Sequence, residues 1–416
     1  MKKGLILFCF LIISCFVNAQ MVIGTDTLYG NEWINHSQTY LKIEISSDGI
    51  YRLDGQTLSN SGVPIAGIQG SNYQVFHLGE EIPIRTSTNN SFGNSDYIEF
   101  FGERNRSWLD SFLFEHPSQD LLNPYYSLFT DTSAYYVTWN PSAAGLRFQN
   151  VTNNLTSPPT KEDYFWYDKI DEYHNAHIKK RKDGYKYDSK FEIEGFAGSL
   201  SNNKTQNVAI PNLFTGGPNS SLTIRMAVGE DGQHQQLVKI DGTTYVDESF
   251  YGFQFKEYNL PLTTASLGNL VEVKTENTFD NRDKSAISFI KITYPRTYNF
   301  ENTDYFDFYI KANNTSTYLE IDDFNASNAN PILYDLTNQI YLQTVLREEF
   351  AFSIGLEHKL LRYSTRTLNN ISPDENESFQ PTPGERTFFE DSHYFSTYGK
   401  LTFDTYDDKY FPTKGL

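Results

Sequence analysis

The segment 221–240, SLTIRMAVGEDGQHQQLVKI, contains two short apolar stretches separated by a turn sequence. Ser221–Val228 and Gln235–Ile240 have the length and the apolar alternation of half-buried strands. Gly229-Glu230-Asp231-Gly232 between them, and Asp241-Gly242 after them, are turn sequences, because glycine accepts positive φ and aspartate hydrogen-bonds its own backbone. The segment therefore predicts strand, turn, strand and turn, which is the pattern of an antiparallel sheet.

The same pattern continues towards the C-terminus. Asn269–Thr275 and Ala286–Thr293 are further strand candidates. Tyr294-Pro295-Arg296 is expected to end the unit, because proline cannot continue a central strand. Several strands at this spacing predict a β-sandwich of jelly-roll type over residues 161–297. Its first part, residues 163–190, is dense in tyrosine and charge and has no clear pattern.

Residues 20–160 predict an N-terminal β domain. Two hairpins are predicted from apolar stretches around glycine-containing turns: Leu41–Ile45 with Ile50–Leu53 around Ser47-Asp48-Gly49, and Tyr73–Leu78 with Ile82–Arg85 around Gly79-Glu80-Glu81. Tyr97–Phe101 and Ala134–Trp139 are further strands. Gln56–Asn60 is the one clear helical segment, and Gly62 suits the position after its end. The Asn-, Thr-, Ser- and Pro-rich run 150–160 is expected to mark a domain boundary.

Residues 298–416 predict a C-terminal β segment and linker. Four strands are expected there: Tyr305–Ile310, Tyr318–Ile321, Ile332–Tyr334 and Ala351–Ile354. Asn369–Glu385 holds three prolines and is expected to be a loop or linker. The predicted fold class is all-β and mostly antiparallel, with several β-sandwich or jelly-roll-like subdomains and few short helices. The 16% aromatic content supports it, because aromatic residues are enriched in strands.

The first 19 residues have the parts of a secretory signal peptide in order. Lys2-Lys3 is the positive region, Leu5–Phe16 the apolar region, and Val17-Asn18-Ala19 the cleavage site. Ile12-Ile13-Ser14 before Cys15 is also compatible with lipoprotein processing, but cleavage after Ala19 fits directly. The protein is therefore expected to be exported, to the periplasm, the outer membrane or the cell surface.

Both cysteines, Cys9 and Cys15, lie in this signal. The mature chain is therefore expected to have no disulfide, no zinc–thiolate site and no cysteine nucleophile. The net charge of −18 repels phosphate backbones, so nucleic acid is not expected as a partner. No later stretch approaches about 18 consecutive apolar residues, so no transmembrane segment is expected.

Residues with the chemistry of an active site are few. His174 and His177 are the only close histidine pair, beside Asp171 and Glu172, and on a helix their spacing could hold a metal. Nothing supplies further ligands at a zinc spacing, so a solvated polar stretch is the preferred interpretation. Asp96 follows a Gly-Asn-Ser sequence but lacks the EF-hand ligand spacing, which favours a turn. No catalytic, cofactor-binding or metal-binding residue is assigned, and no cofactor is expected.

Seven short segments carry a family likeness: Gly30-Asn31-Glu32-Trp33-Ile34; Tyr40-Leu41-Lys42-Ile43 with Asp48-Gly49-Ile50-Tyr51-Arg52; Asp96-Tyr97-Ile98-Glu99-Phe100-Phe101-Gly102; Asn123-Pro124-Tyr125-Tyr126-Ser127-Leu128; Asp131-Thr132-Ser133-Ala134-Tyr135-Tyr136; Tyr294-Pro295-Arg296; and Leu333-Tyr334-Asp335-Leu336-Thr337. In this order they resemble the N-terminal region of the gingipain-type cysteine peptidases, the PorU-like sortases of the type IX secretion system of Bacteroidetes. None of these segments is catalytic in that family, so they indicate a lineage rather than an activity.

The resemblance implies a cysteine peptidase or transpeptidase that removes sorting domains from exported cargo. In the family, a caspase-like domain with the catalytic His and Cys follows the β region, and this chain ends about where that domain would begin. The chain is therefore expected to be a non-catalytic β region, inactive alone, that contacts cargo or secretion components. The alternative is a stand-alone secreted protein with a glycan-binding or structural role, and an enzyme with acidic catalysis is the least favoured interpretation.

Overall fold

The computed structural model describes residues 21–23, 26–28, 31–107, 109–114, 116–180, 192–310, 316–326 and 330–345. Strands dominate these residues, and nearly all strand pairs are antiparallel, which confirms the predicted fold class. The strands are β1 Met21–Ile23, β2 Asp26–Leu28, β3 Leu41–Ile45, β4 Gly49–Asp54, β5 Tyr73–His77, β6 Glu80–Ile82, β7 Arg85–Thr86, β8 Tyr97–Gly102, β9 Ser133–Trp139, β10 Gln149–Asn150, β11 Phe165–Glu172, β12 Ala176–Lys179, β13 Glu194–Ala197, β14 Asn203–Ala209, β15 Ser220–Val228, β16 Gln233–Ile240, β17 Thr243–Tyr251, β18 Phe255–Leu262, β19 Leu270–Asn277, β20 Ser285–Arg296, β21 Asn299–Thr303, β22 Asp322–Phe324, β23 Ile332–Asp335 and β24 Ile340–Gln343. The two short α-helices of the described residues are α1 Gly55–Asn60 and α2 Pro117–Asp120.

The N-terminal unit consists of two antiparallel sheets over one core. One sheet has the strand order β3-β9-β5-β6 and the other β4-β8-β7. Alternating residues of both sheets, among them Ile43, Leu53 and Val137, are fully buried between them. The predicted helix is confirmed as α1, where the Asp54 carboxylate accepts a hydrogen bond from the Thr57 amide at 2.7 Å. Such a cap satisfies one of the amides that a helix start leaves without a partner.

The first predicted hairpin is wrong. β3 pairs with β9 and β4 pairs with β8, so the chain passes from one sheet to the other at Ser47-Asp48-Gly49. This crossing lets both strands bury their apolar residues in the same core, which a flat hairpin would not do. The Asp48 side chain holds the crossing in place: it accepts a hydrogen bond from the Arg104 amide at 2.9 Å and pairs with Arg106.

The second predicted hairpin is confirmed, with a shorter turn. β5 pairs with β6, and His77 lies opposite Glu80. The two turn residues, Leu78 and Gly79, have φ of 54° and 89°, as a tight two-residue hairpin turn requires. Arg85 does not continue this hairpin, because it begins β7 in the opposite sheet.

The sandwich joins a sheet of order β11-β20-β15-β18 to a sheet of order β14-β19-β16-β17. Its core is mostly aliphatic, with Leu222, Ile224, Val238 and Val273 at or near zero exposure. The four strand candidates of the sequence are present as β15, β16, β19 and β20. β17 and β18 were not predicted, because their many polar residues obscure the alternation of apolar and polar residues that is expected of a half-buried strand. The predicted turn Asp241-Gly242 is confirmed, with φ of 47° and 78°.

The last strand of the sandwich ends at Tyr294-Pro295-Arg296, as predicted, but Pro295 itself still pairs within it. β20 continues to Arg296, with Pro295 opposite Trp166 of β11. The pairing of β20 with β15 stops at Thr293, and the Pro295 carbonyl accepts a hydrogen bond from the Phe214 amide on that side. Because a strand residue directs its N–H and C=O to the same side, the missing N–H leaves the β11 ladder intact.

The C-terminal stretch departs most from prediction. Tyr305–Ile310 is not a strand, and Tyr309 forms only an isolated bridge with Trp166. Phe306 instead packs with Phe165, Phe300, Phe324 and other side chains in a separate aromatic core. The strand expected at 318–321 is wrong, because Tyr318 forms only an isolated bridge with Lys161 and β22 begins after it, at Asp322. The strand at 332–334 is confirmed as β23. The segments 351–354 and 369–385 lie outside the described residues, and the predicted domain boundaries stay predictions.

The last two strands return to the N-terminal unit. β23 and β24 form an antiparallel hairpin, and β10 adds to β24 in parallel, so the sheet order is β10-β24-β23. Ile50, Phe148 and Tyr334 pack together in a small core between this hairpin and the N-terminal sheets. Residues about 200 positions apart in the chain therefore form one surface.

Candidate functional site

A groove of about 570 Å³ lies beside the β23–β24 hairpin. Three parts of the chain form it: Ile50 and Phe101 from the ends of β4 and β8, residues 305–310 and 316–317, and residues 333–342. This volume is in the range of small-ligand and side-chain pockets. The groove is therefore the candidate functional site of the described residues.

Aromatic and aliphatic side chains provide most of the groove lining. Seven lining residues are aromatic: Phe101, Tyr305, Phe306, Phe308, Tyr309, Tyr334 and Tyr341. Three of the lining residues are markedly exposed: Tyr309 is 79% exposed, Leu336 43% and Ile310 38%. Large apolar side chains this exposed, side by side around one concavity, are typical of a recognition surface.

A buried ionic cluster supports the groove from behind. Glu99 of β8 is completely buried and accepts hydrogen bonds from Arg52 of β4 and Arg85 of β7, each at 2.6 Å. The Tyr334 hydroxyl of β23 donates to the same carboxylate at 2.6 Å. Glu99 therefore ties three strands of the N-terminal unit to the hairpin that lines the groove.

The pKa shifts in this cluster agree with its geometry. Burial raises the pKa of the Tyr334 hydroxyl well above its usual range, and the Glu99 carboxylate raises it further. Burial alone would lower the pKa of Arg85, but the Glu99 carboxylate outweighs this effect and raises it. Tyr334 is therefore a hydrogen-bond donor and Arg85 a cation at every physiological pH.

Aromatic rings cover the two arginines. The Arg52 guanidinium lies 4.0 Å from the centroid of the Tyr97 ring, and that of Arg85 lies 5.1 Å from the Tyr341 ring. Such cation–π contacts stabilise a desolvated guanidinium by about 1–2 kcal/mol. Tyr341 also lines the groove, so the cluster and the groove share a wall.

The edge of the groove near residue 307 is acidic. Burial and the neighbouring charges of Asp48 and Asp307 raise the pKa of Glu103, against the opposing effect of Arg106. Burial, then Asp307 and Glu103, also raises the pKa of Tyr309. Burial is the largest cause of both shifts, and the additional contributions of the carboxylates indicate a negative local potential beside the Tyr309 ring.

The histidine pair predicted as a weak metal candidate does not form a site. His177 lies in β12 and contacts Glu194 at 3.0 Å, whereas the His174 ring stacks on Tyr126. Asp171 and Glu172 pair instead with Lys169 and Arg104, respectively. Within the described residues, no group of three or more His, Cys, Asp or Glu side chains is arranged to hold a metal.

The other loop candidate is a turn. Asp96 accepts hydrogen bonds from the Gly93 amide at 2.9 Å and the Ser87 hydroxyl at 2.8 Å. This confirms the preferred interpretation of Asp96 as a turn residue.

A second buried carboxylate, Asp283, lies inside the sandwich. It accepts hydrogen bonds from His234 at 2.7 Å, from Asn277 at 3.0 Å and from the Gln235 amide at 3.0 Å. The His234 Nε2 lies 3.1 Å from the Glu230 carbonyl. His234 is only 1% exposed, so the His234–Asp283 pair is not placed to act on a ligand. It instead holds the segment before β20, which contains Asp283, against β16.

Two further contacts link the units of the fold. Asn123 is fully buried and donates hydrogen bonds to the Tyr173 carbonyl at 3.3 Å and the Phe196 carbonyl at 3.2 Å. These bonds connect the loop after α2 to β13 and to the residue that follows β11. The Arg296 guanidinium, at the end of β20, lies 4.6 Å from the Phe306 ring of the aromatic core. The family-like segments contain Glu99, Asn123, Arg296 and Tyr334. The sequence alone did not show that these residues lie at the junctions between units of the fold.

Comparisons with known proteins give a partial likeness. The family model described as the OMP85 superfamily matches residues 297–416, well under half of the chain. No curated protein matches the chain. Dimeric latent PorU from Porphyromonas gingivalis is similar in structure, with a TM-score of 0.49 and 12% identity over 77% of this chain. The chain spans 30% of the length of that protein.

Two carbohydrate-binding modules are similar over a smaller part. The CBM36-1 domain of a xylanase from the hindgut metagenome of Trinervitermes trinervoides has a TM-score of 0.19 and 16% identity, over 30% of this chain and 96% of the module. A CBM36 module in complex with calcium and xylotriose has a TM-score of 0.19 and 18% identity, over 30% of this chain and 98% of the module. At these values the likenesses assign no activity, ligand or partner to this chain.

In the part of the chain that the structure describes, no helix has both the length and the apolar character needed to span a bilayer.

Proposed function

We propose that this chain is the non-catalytic β region of a gingipain-like sortase of the type IX secretion system. In this role it holds several β units in one arrangement and docks exported cargo or partner proteins of the secretion machinery. The proposal assigns no catalytic residue to the chain. Peptidase or transpeptidase chemistry would belong to a domain other than the residues described above.

One observation carries the proposal: residues of the family-like segments lie at the junctions between units. The Tyr334 hydroxyl donates a hydrogen bond to Glu99, which lies 235 positions earlier in the chain. Both residues belong to family-like segments. Asn123 and Arg296, from two further segments, lie at the other two junctions. A shared lineage that preserves the relative placement of β units would preserve such residues first, because they couple distant parts of the chain.

The same proposal places the protein outside the cytoplasm. The signal-peptide sequence of the first 19 residues supports export, and the sortase-like lineage favours the outer membrane or the cell surface. The proposed partners are proteins rather than nucleic acid, in keeping with the net charge of −18.

A deletion in the source bacterium tests the proposal. We expect cells that lack the gene to accumulate exported proteins that keep their sorting domains, as measured by mass spectrometry of the secreted fraction. A copy carrying Glu99→Ala should restore processing poorly, and a copy carrying the surface substitution Arg282→Ala should restore it fully. Unchanged processing in the deletion strain would contradict the proposal.

A glycan-binding role for the sandwich is a second candidate. Tyr251, at the end of β17, is 68% exposed and lies opposite Gln233, so that a ring face and an amide are side by side on the outer sheet face. Such a pair can stack on a sugar and hydrogen-bond its hydroxyls. A glycan array with the wild-type chain and with Tyr251→Ala tests this role, and it predicts binding that the substitution removes.

A further inference from the structure

The groove beside the β23–β24 hairpin combines apolar walls with a charge of one sign. Among its described lining residues none is Lys, Arg or His, whereas Asp307 and Asp335 are both acidic. Glu103 adds to the negative potential near Asp307. The lining is therefore complementary to a cation next to apolar groups.

The exposed tyrosine adds a specific contact for such a cation. Tyr309 is 79% exposed, and Asp307, two positions before it, lines the same groove. A lysine or arginine over this ring would gain both a cation–π contact and the attraction of the carboxylates. Arg106 opposes part of this potential, but it is paired with Asp48.

The remaining walls favour a peptide over a sugar. Ile50, Ile310, Leu333, Leu336, Ile340 and Leu342 are aliphatic lining residues. The lining also contains the hydroxyls of Ser316, Thr317 and Thr337 and the amide of Asn338, which donates to Asp335 at 2.7 Å. Aliphatic walls accept leucine or valine side chains, and hydroxyls beside them can hydrogen-bond a peptide backbone.

We propose that this groove binds an extended segment of a partner protein in which lysine or arginine alternates with apolar residues. The apolar side chains enter between residues 305–310 and the β23–β24 hairpin, and the basic ones lie over Tyr309 and beside Asp307. The inference rests on the proposed function only for the nature of the partner, an exported or secretion protein.

Titration of the full chain with short peptides tests the inference. The probe is an acetylated, amidated peptide of alternating lysine and leucine, about eight residues long, measured by isothermal titration calorimetry at physiological salt, where long-range attraction is screened. One control peptide has glutamate in place of lysine, and the other has serine in place of leucine. We expect binding of the first peptide to be at least about tenfold tighter than that of either control.

Two substitutions with matched controls assign the binding to the groove. Tyr309→Ala should weaken the lysine–leucine peptide about tenfold and Asp307→Asn about fivefold, in line with loss of one aromatic anchor or one charge. Tyr245→Ala and Asp247→Asn, which remove an exposed tyrosine and an exposed carboxylate from β17, should leave the affinity unchanged. Unchanged thermal midpoints of all four variants show that the fold is intact.

The other outcomes of the titration overturn the inference. Equal binding to all four variants would mean that the peptide responds only to the net charge of −18. No detectable binding would mean that the groove does not take this chemistry. Xylo-oligosaccharide binding that Tyr309→Ala abolishes would make it a glycan site. Failure of the sorting-domain experiment in cells, with a positive titration, would overturn the proposed function and leave the groove inference standing.

Discussion

Glu99 and Asp283 are both buried carboxylates, but their partners come from very different distances along the chain. The side chains that contact Asp283, His234 and Asn277, lie within 49 positions of it, and all belong to the sandwich. Glu99 accepts hydrogen bonds from Arg52 and Arg85 of the N-terminal sheets and from Tyr334, which lies 235 positions away. One cluster therefore stabilises a unit, and the other fixes the relation between two units.

This difference shows where a binding surface can depend on a buried charge. A charge whose partners all lie in one unit affects the stability of that unit. A charge shared between units also determines how the surfaces on both sides meet, and the groove lies at such a meeting, since Tyr334 and Tyr341 line it. Substitutions at the two carboxylates should therefore have different consequences away from their own sites.

The largest expected effect follows from Glu99→Ala. The substitution leaves two mostly buried guanidinium groups without their carboxylate, and such a loss costs about 3–5 kcal/mol. We expect faster hydrogen–deuterium exchange in β4 and β8 and also in the β23–β24 hairpin, together with loss of peptide binding in the groove. If exchange in the hairpin stayed at the wild-type rate, Glu99 would not couple the two units.

Asp283→Asn should cost less and act locally. The amide keeps the shape of the carboxylate but removes the charge that His234 and the Gln235 amide contact, a loss of about 2–3 kcal/mol. Exchange should rise in β16 and in residues 277–283, while the hairpin and the groove keep their wild-type behaviour. A rise in the hairpin as large as that in β16 would remove the distinction between the two carboxylates.

The sequence predicts the local elements well and their partners poorly. Alternation and turn chemistry gave β8, β9, β15, β16 and the β5–β6 hairpin, because these features depend on neighbouring residues only. The first hairpin was wrong because the choice between pairing with β4 and pairing with β9 depends on a core that both sheets share. The sequence also did not show that Pro295 would pair within β20, since the cost of a proline depends on which side of the strand has a partner.

The candidate groove could not be predicted. Tyr305–Ile310 alternates like a strand, but the aromatic core takes Phe306 and leaves Tyr309 exposed. No local signal shows that these residues face Leu333 and Leu336 across a groove, because that contact depends on how the hairpin returns to the N-terminal unit. Residues 333–337 form one of the family-like segments, but the resemblance implies no role for them.

Acidification should distinguish the N-terminal unit from the sandwich. Burial lowers the pKa of His77 from 6.5 to about 4, so between these values the unfolded chain binds a proton that the folded chain does not. Stability is therefore lost as the pH falls from 6.5 towards 4, by about 2 kcal/mol once partial exposure is allowed for. The variant His77→Gln should show a shallower loss than the wild type in urea unfolding over this range. Parallel pH profiles would mean that other groups cause the acid sensitivity.

The smallest effect is expected from Tyr334→Phe, and it isolates the link between the units. The ring stays against Phe148, with 5.0 Å between the centroids, so the packing of the hairpin is preserved. Glu99 keeps Arg52 and Arg85, and the loss of the one hydroxyl should cost about 1 kcal/mol. Because the hydroxyl joins β23 to β8, exchange should rise in the hairpin while β4 and β8 keep their wild-type protection. Equal increases on both sides would mean that the hydroxyl stabilises the N-terminal sheets themselves, and that the hairpin is positioned by apolar packing instead.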